Sequence, residues 1–361
     1  MKRSGLRGLT DWPAFWQAVL VLADHRKSPV EKKKIMCPTG FSMAPLLTPL
    51  FERDRGASCT SAFVSLYIVV MLVARAVFLD AGGQGTKRVK QVLLRWGYMW
   101  LKKGLTMRIR QIRNATLVVD YAGVRFLIDP WFEARGTGML APSPWPERNV
   151  RSPLVDLPCS VEEVLADVNA VVVTHVHPDH FEQYSASLID HGLPIYVQSV
   201  PDSKTVESWG FTDVRVMSLD GSSFGGVTLT RVAARHGLTP LTDCGPASGV
   251  VLQASDEPTL YLAGDTVWYE GVADNLRRFK PAVTVLNCCG ATLASRGRII
   301  MDEEDVLAVC HAAPWMQVVA SHMETVNHGN VSREYLRAFT NRLGVGEHVL
   351  IPADGEVLEF L

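Results

Sequence analysis

Thr174-His175-Val176-His177-Pro178-Asp179-His180-Phe181 follows directly on the apolar run Val171-Val172-Val173. The run reads as a buried strand over residues 170–174. Alternation along extended chain then points His175 and His177 the same way. Pro178 cannot continue a hydrogen-bonded ladder, so the chain turns there and brings Asp179 and His180 to the same mouth. Four nitrogen and oxygen donors within six residues, at the end of a strand, suit Zn²⁺ or a similar borderline cation. Two donors can serve each of two ions about 3.5–4 Å apart, where a shared water becomes a nucleophile near neutral pH.

With His175-Val176-His177-Pro178-Asp179-His180 as its H-x-H-x-D-H motif, the chain resembles the metallo-β-lactamase superfamily. Within it, the sequence is similar to the branch that includes ascorbate-6-phosphate lactonase and the N-acyl-phosphatidylethanolamine phospholipase D enzymes. The resemblance runs from Met107 to Leu361 and implies an αββα four-layer sandwich with its metals at one edge of the sheets. It also implies three later ligands: His236 after a long strand, Asp265 in the Gly264-Asp265-Thr266 turn, and His322 closing a late strand. Each of the three sits where an apolar strand ends. On the same resemblance, His175, His177 and His236 bind one metal, Asp179, His180 and His322 the second, and Asp265 bridges both. Zinc is the first expectation for the two divalent ions, with manganese or iron as alternatives. Asp179 receives a proton or orients the attacking hydroxide opposite Asp265, and no protein nucleophile is required. Asp129, in Ile128-Asp129-Pro130, is expected to orient ligands without touching metal. His328 competes with His322 as the late ligand and otherwise belongs near the substrate. Asn114 departs from the pattern, standing where many relatives carry histidine.

Outward from the motif, residues 107–113, 115–121 and 124–129 read as strands, with a turn at Ala122-Gly123. Further strands are expected over 194–198, 214–218, 227–233, 249–253, 259–262, 282–286, 317–320 and 348–351. Helices are expected over 161–166, 181–190, 203–209, 303–312 and 332–343. Many strands with interspersed helices suggest sheet and helix layers around one core. The irregular stretch 133–153, rich in Gly and Pro, reads as a lid over the site or as a plain surface connection. Trp131, Phe132, Met139 and Trp145 would give it apolar contacts. Arg296 and Arg298 are candidates for an anionic substrate group, or simply solvated.

The net charge of −1 conceals a division. Residues 1–106 hold 17 Lys and Arg against 6 Asp and Glu, and the remaining residues hold 19 against 31. That asymmetry marks a basic N-terminal extension, 1–106, ahead of a hydrolase domain, 107–361. Within the extension, residues 62–74 are almost wholly apolar but short of the ~20 residues that span a bilayer. They read as an interfacial or buried helix, a marginal span, or, with Met107 as a natural start, a segment outside the functional protein. Residues 60–103, with Trp96, Tyr98 and Trp100 among lysines, suit a membrane surface. Seven cysteines without a C-x-x-C pair argue against a disulfide framework and for a reducing, cytoplasmic compartment. Asp11-Trp12-Pro13 interrupts any export signal, which disfavours strict β-lactam hydrolysis. The acidic balance after residue 106 disfavours nucleic acid and favours a small molecule, an ester, lactone or phosphodiester. Two other readings stand beside hydrolysis. A di-iron redox protein of this fold would carry glutamate where His177 stands, and a membrane-tethered binding protein would keep only a vestigial site.

Overall fold

The computed structural model describes residues 107–239 and 244–360. The extension 1–106 and the readings placed on it lie outside the described residues. Among the described residues, no helix is long and apolar enough to cross a membrane.

Two seven-stranded sheets carry the fold. The first contains β1 (Met107–Arg113), β2 (Thr116–Tyr121), β3 (Val124–Ile128), β4 (Ala170–Val172), β5 (Ile195–Val197) and β6 (Val214–Val216), with β16 (Val357–Phe360) on its outer edge. The second runs from β7 (Ser222–Phe224) through β8 (Val227–Ala233), β9 (Ser248–Gln253), β10 (Leu260–Leu262), β11 (Val283–Asn287) and β14 (Gln317–Ser321) to β15 (Val349–Leu350). β12 (Thr292–Leu293) and β13 (Gly297–Arg298) form a separate ribbon. Helices α1 (Val161–Leu165), α2 (Gln183–Ser187) and α3 (Val200–Ser208) belong to the first half, and α4 (Glu270–Phe279), α5 (Glu303–Ala312) and α6 (Arg333–Arg342) to the second.

Period-2 alternation produces the layering. In β4 and its continuation, Ala170 and Val172 join the cluster between the two sheets, whereas Val171 and Val173 join the cluster under α1–α3. In β10, Leu260 and Leu262 face between the sheets while Tyr261 faces α4. Val272 and Leu276 of α4, Val306 and Val309 of α5 and Leu336 of α6 close that third seam. Three seams between four layers make the αββα sandwich.

Several elements differ from their sequence expectations. α2 is a five-residue helix, not a run to residue 190, because it ends at Leu188 before a turn. α4 was not expected. Its apolar face is Val272, Ala273, Leu276 and the partly buried Phe279, with charged residues on the opposite side. β16 pairs antiparallel with β1 although its own burial is slight. His348, expected to open the last strand, instead closes a 3-10 turn over Gly346–His348, and the strand is limited to β15.

Candidate metal centre

Val173 N–H still donates to Tyr196 O at 2.8 Å, carrying the β4 pairing one residue on before the chain bends at Thr174. After Pro178 the chain turns back, and the amides of His180 and Phe181 both donate to His177 O, at 3.0 and 2.9 Å. This packs four side chains into one cluster. The His175 and His177 ring centroids lie 4.3 Å apart, and those of His175 and His180 4.1 Å.

The second sheet supplies three more residues, each just past a strand end. His236 follows β8, Asp265 follows β10 and His322 follows β14. Gly264 holds φ +66°, and a Cβ there would stand 2.4 Å from Ser248 O, so only glycine lets the chain swing Asp265 inward. His322, Asp129 and Asn114 also hold positive φ values of 64°, 41° and 54°. Left-handed backbone at three side-chain-bearing positions around one point is the kind of strain that gathers at functional sites.

Asp265 occupies the centre. Its Oδ2 lies 3.2 Å from His180 Nε2, 3.6 Å from His236 Nε2 and 3.9 Å from His175 Nε2. Its Oδ1 lies 4.0 Å from His322 Nε2, which is 3.2 Å from Asp179 Oδ2. The opposite ring nitrogens are mostly committed elsewhere. His236 Nδ1 must donate to Ile299 O at 3.0 Å, because a carbonyl only accepts. His180 Nδ1 donates to Asp129 Oδ2 at 2.9 Å. Thr174 Oγ1 donates to Asp129 Oδ2 at 2.7 Å and so accepts from His175 Nδ1 at 3.1 Å. With Nδ1 the donor in each case, Nε2 is the nitrogen turned inward, where an ion would take the place of any proton. His175 Nε2 and His180 Nε2 are buried and have no hydrogen-bond partner.

Such a cluster fits cations. Three sets of donors each gather within 4.8 Å: His175, His177 and His236; His175, His180 and Asp265; Asp179, His180 and His322. The field points the same way. Burial works against a charged His180, yet Asp265, Asp129 and Asp179 raise it to about 10. Burial likewise opposes ionised Asp265 and Asp179, but the surrounding imidazoles hold both below the usual carboxylate range. His175 and His177 are pushed down by burial and by neighbouring rings.

Asp129 does not enter any of the three sets. Its Oδ1 accepts from Thr174 N–H at 2.7 Å, so with His180 and the Thr174 hydroxyl the carboxylate is saturated. His328 also stays outside the sets. It is 3% exposed, its Nδ1 has no partner, and burial pushes it down to about 4 despite nearby Asp179 and Asp265. The structure also brings in two residues that sequence reading passed over, Asn287 and Cys289, and gives partners to Asn114, which the sequence marked only as a departure from the family pattern. Asn287 Nδ2 donates to Asp265 Oδ1 at 2.7 Å. Cys289 Sγ lies 3.5 Å from His322 Nδ1. Asn114 Nδ2 donates to Asp179 O at 2.9 Å and stands 3.2 Å from His322 Nε2. Arg298 is spent on Asp302 and Asp305 and is not free for an anionic substrate.

Comparison with known proteins gives a consistent picture. Residues 124–323 match the Beta-lactamase superfamily domain, a stretch that holds all seven clustered residues and Asp129. The UPF0173 protein YddR of Bacillus subtilis is 38% identical over 256 residues, 70% of this chain and 100% of the relative. The isothiocyanate hydrolase from Delia radicum gut bacteria is 40% identical with a TM-score of 0.67, over 70% of this chain and 99% of that one. A possible metal-dependent hydrolase of Veillonella parvula is 37% identical with a TM-score of 0.65, over the same shares.

Proposed function

Since the chain belongs to the β-lactamase superfamily of metal-dependent hydrolases, we propose that it uses two divalent ions, zinc foremost, to hydrolyse a small electrophilic molecule. The convergence of five imidazoles and two carboxylates from both sheets carries the reading. His175, His177 and His236 would hold one ion, Asp179, His180 and His322 the other, with Asp265 between them. When bound, the ions lower the pKa of water so that it attacks near neutral pH, and they polarise the bond under attack.

The chain's own residues do the rest. Asp129 holds His180 directly and His175 through Thr174, so two rings keep a single tautomer and orientation. Asn287 fixes one Asp265 oxygen and leaves the other facing three imidazoles. Asp179 is the carboxylate placed to take or direct a proton at Oδ2. His328, neutral and with Nδ1 unpaired, is available to hydrogen-bond a substrate.

Esters, lactones and phosphodiesters share this chemistry of water attack. A compact carbon electrophile, R–N=C=S, is our first candidate substrate, a reading that the 40% identity to an isothiocyanate hydrolase supports. The test is elemental analysis of purified protein, with assays on an isothiocyanate, a simple lactone and bis(p-nitrophenyl) phosphate. About two equivalents of metal, with turnover abolished by His177→Ala, is the expected result. Protein that binds no metal, and turns over none of the three after reconstitution with zinc or manganese, would leave a binding role in place of hydrolysis.

A further inference from the structure

The stretch 133–153, which resembles a mobile lid in sequence, is tied down by one side chain. Asn327 is fully buried. Its Nδ2 donates to Ala141 O at 2.9 Å and Arg148 O at 3.1 Å. Its Oδ1 accepts from Ala141 N–H at 3.2 Å and from the Ser152 hydroxyl at 3.4 Å, while its own N–H donates to Ser152 Oγ at 2.9 Å. Both carbonyls only accept and the amide only donates, so the orientation of the carboxamide is fixed by its partners. A single asparagine therefore pairs with both backbone groups of Ala141, as a strand would, and closes the loop at two further points.

The residues on either side extend the clamp. Leu154 N–H donates to Thr325 O at 2.7 Å, Arg148 donates to Gly329 O, and Thr292 N–H donates to His328 O at 2.8 Å. Ala294 N–H reaches Pro142 O at 2.8 Å. Hence the segment 141–152 is tied to Asn327 and Gly329, on either side of His328, whose buried Nδ1 no protein group satisfies. A loop held by this many buried hydrogen bonds opens rarely.

We propose that Asn327 is a positioning residue that makes residues 141–152 a fixed wall of the substrate pocket, aims His328 at the substrate and limits substrate size. The proposal rests on the hydrolase reading above. Supporting groups of this kind set how precisely a contacting side chain is held, and a misplacement of 1 Å costs about a hundredfold in rate.

The experiment uses the full chain loaded with zinc and compares wild type, Asn327→Ala and Asn327→Asp. Asn327→Asp keeps an acceptor for Ala141 N–H but loses both donors, so it should behave like the alanine. Ser152→Ala, a smaller lesion, covers the case in which the Asn327 variants fail to fold. Three quantities are read: metal content, amide exchange of peptides from 139–152, and kcat and KM for allyl and 1-naphthyl isothiocyanate. Expected are unchanged metal content, faster exchange confined to 139–152 and 323–329, and kcat/KM for the allyl compound down about a hundredfold. The naphthyl-to-allyl ratio should rise about tenfold as the wall gives way. Leu276→Ala controls for lost stability alone and should move neither the exchange of 139–152 nor that ratio. Unchanged exchange in Asn327→Ala, or faster exchange with the ratio and rate constants unmoved, would overturn the proposal. If wild type turns over neither compound, the isothiocyanate reading fails, and the exchange measurement still decides whether Asn327 pins the wall.

Discussion

Each histidine at the centre is defined as much by its outer nitrogen as by its inner one. Asp129 holds two of them, accepting from His180 directly and from His175 by way of the Thr174 hydroxyl. Replacing it by asparagine puts an amide where three donors converge, and one of them must lose its acceptor. Asp129→Asn is therefore expected to weaken metal binding by about 10–100-fold, read by competition with a chelating dye. Thr174→Val, which disturbs only the His175 branch, should cost less, and equal affinity in all three proteins would remove Asp129 from this role. A second expectation concerns His328. Burial holds it at about 4, below the 6.5 of an exposed histidine, so the unfolded chain binds the extra proton. Its contribution is present above about pH 6.5 and is lost as pH falls toward 4, amounting to about 2 kcal/mol between pH 7 and 5. Melting temperature should thus fall more steeply over that range in wild type than in His328→Gln; parallel curves would mean the ring is not held neutral. At this scale the sequence exposes histidines and aspartates, because their chemistry is written in a six-residue motif and at strand ends. It does not expose Asn287 or Cys289, whose partners are distant in sequence and whose neutral side chains carry no pattern, and it marks Asn114 only as a departure from the family pattern.

Strands buried on both faces declare themselves as short apolar runs, and the two faces of β4 show why. Ala170 and Val172 fill one seam while Val171 and Val173 fill the other, so every position is apolar and the run is legible even for a three-residue strand. α4 was legible and passed over: Val272, Leu276 and Phe279 stand at i, i+4 and i+7, a helical spacing with charged residues on the opposite face. Its three buried residues are packed against the second sheet. Leu276 is 1% exposed, so Leu276→Ala should cost about 2–5 kcal/mol in chemical denaturation. Metal content should be unchanged, since α4 contributes no donor. A loss below ~1 kcal/mol would show that the seam collapses around the smaller side chain. Edge strand β16 is short: Leu358 and Phe360 turn to the cluster between the sheets while Val357 and Glu359 face out, and two half-buried residues leave a weak signal at the edge next to β1.

The described residues join two half-sandwiches that meet along the cluster between the sheets. The four-layer architecture follows from the superfamily motif and from strand–helix order, and both were readable. Which strand ends converge was not readable from spacing, because His175 and His322 are 147 positions apart and only the stacking of two sheets brings them together. That stacking has a thermodynamic consequence. The clustered donors come as four from the first sheet's β4 end and three from the second sheet, so ions bound there cross-link the halves. Ions that bind the folded chain and not the unfolded one stabilise by about 4 kcal/mol at a thousand times their dissociation constant. For a domain of this size that is roughly 10 °C in melting temperature. Stripping with a chelator should lower the melting temperature by about that much, and zinc should restore it. His177→Ala and Asp265→Ala, which each remove a donor from one side of the seam, should start lower and respond less to the chelator. Were the stripped and loaded proteins to melt together, the donors would be held in place by the sheets alone, and the ions would serve chemistry without serving the fold.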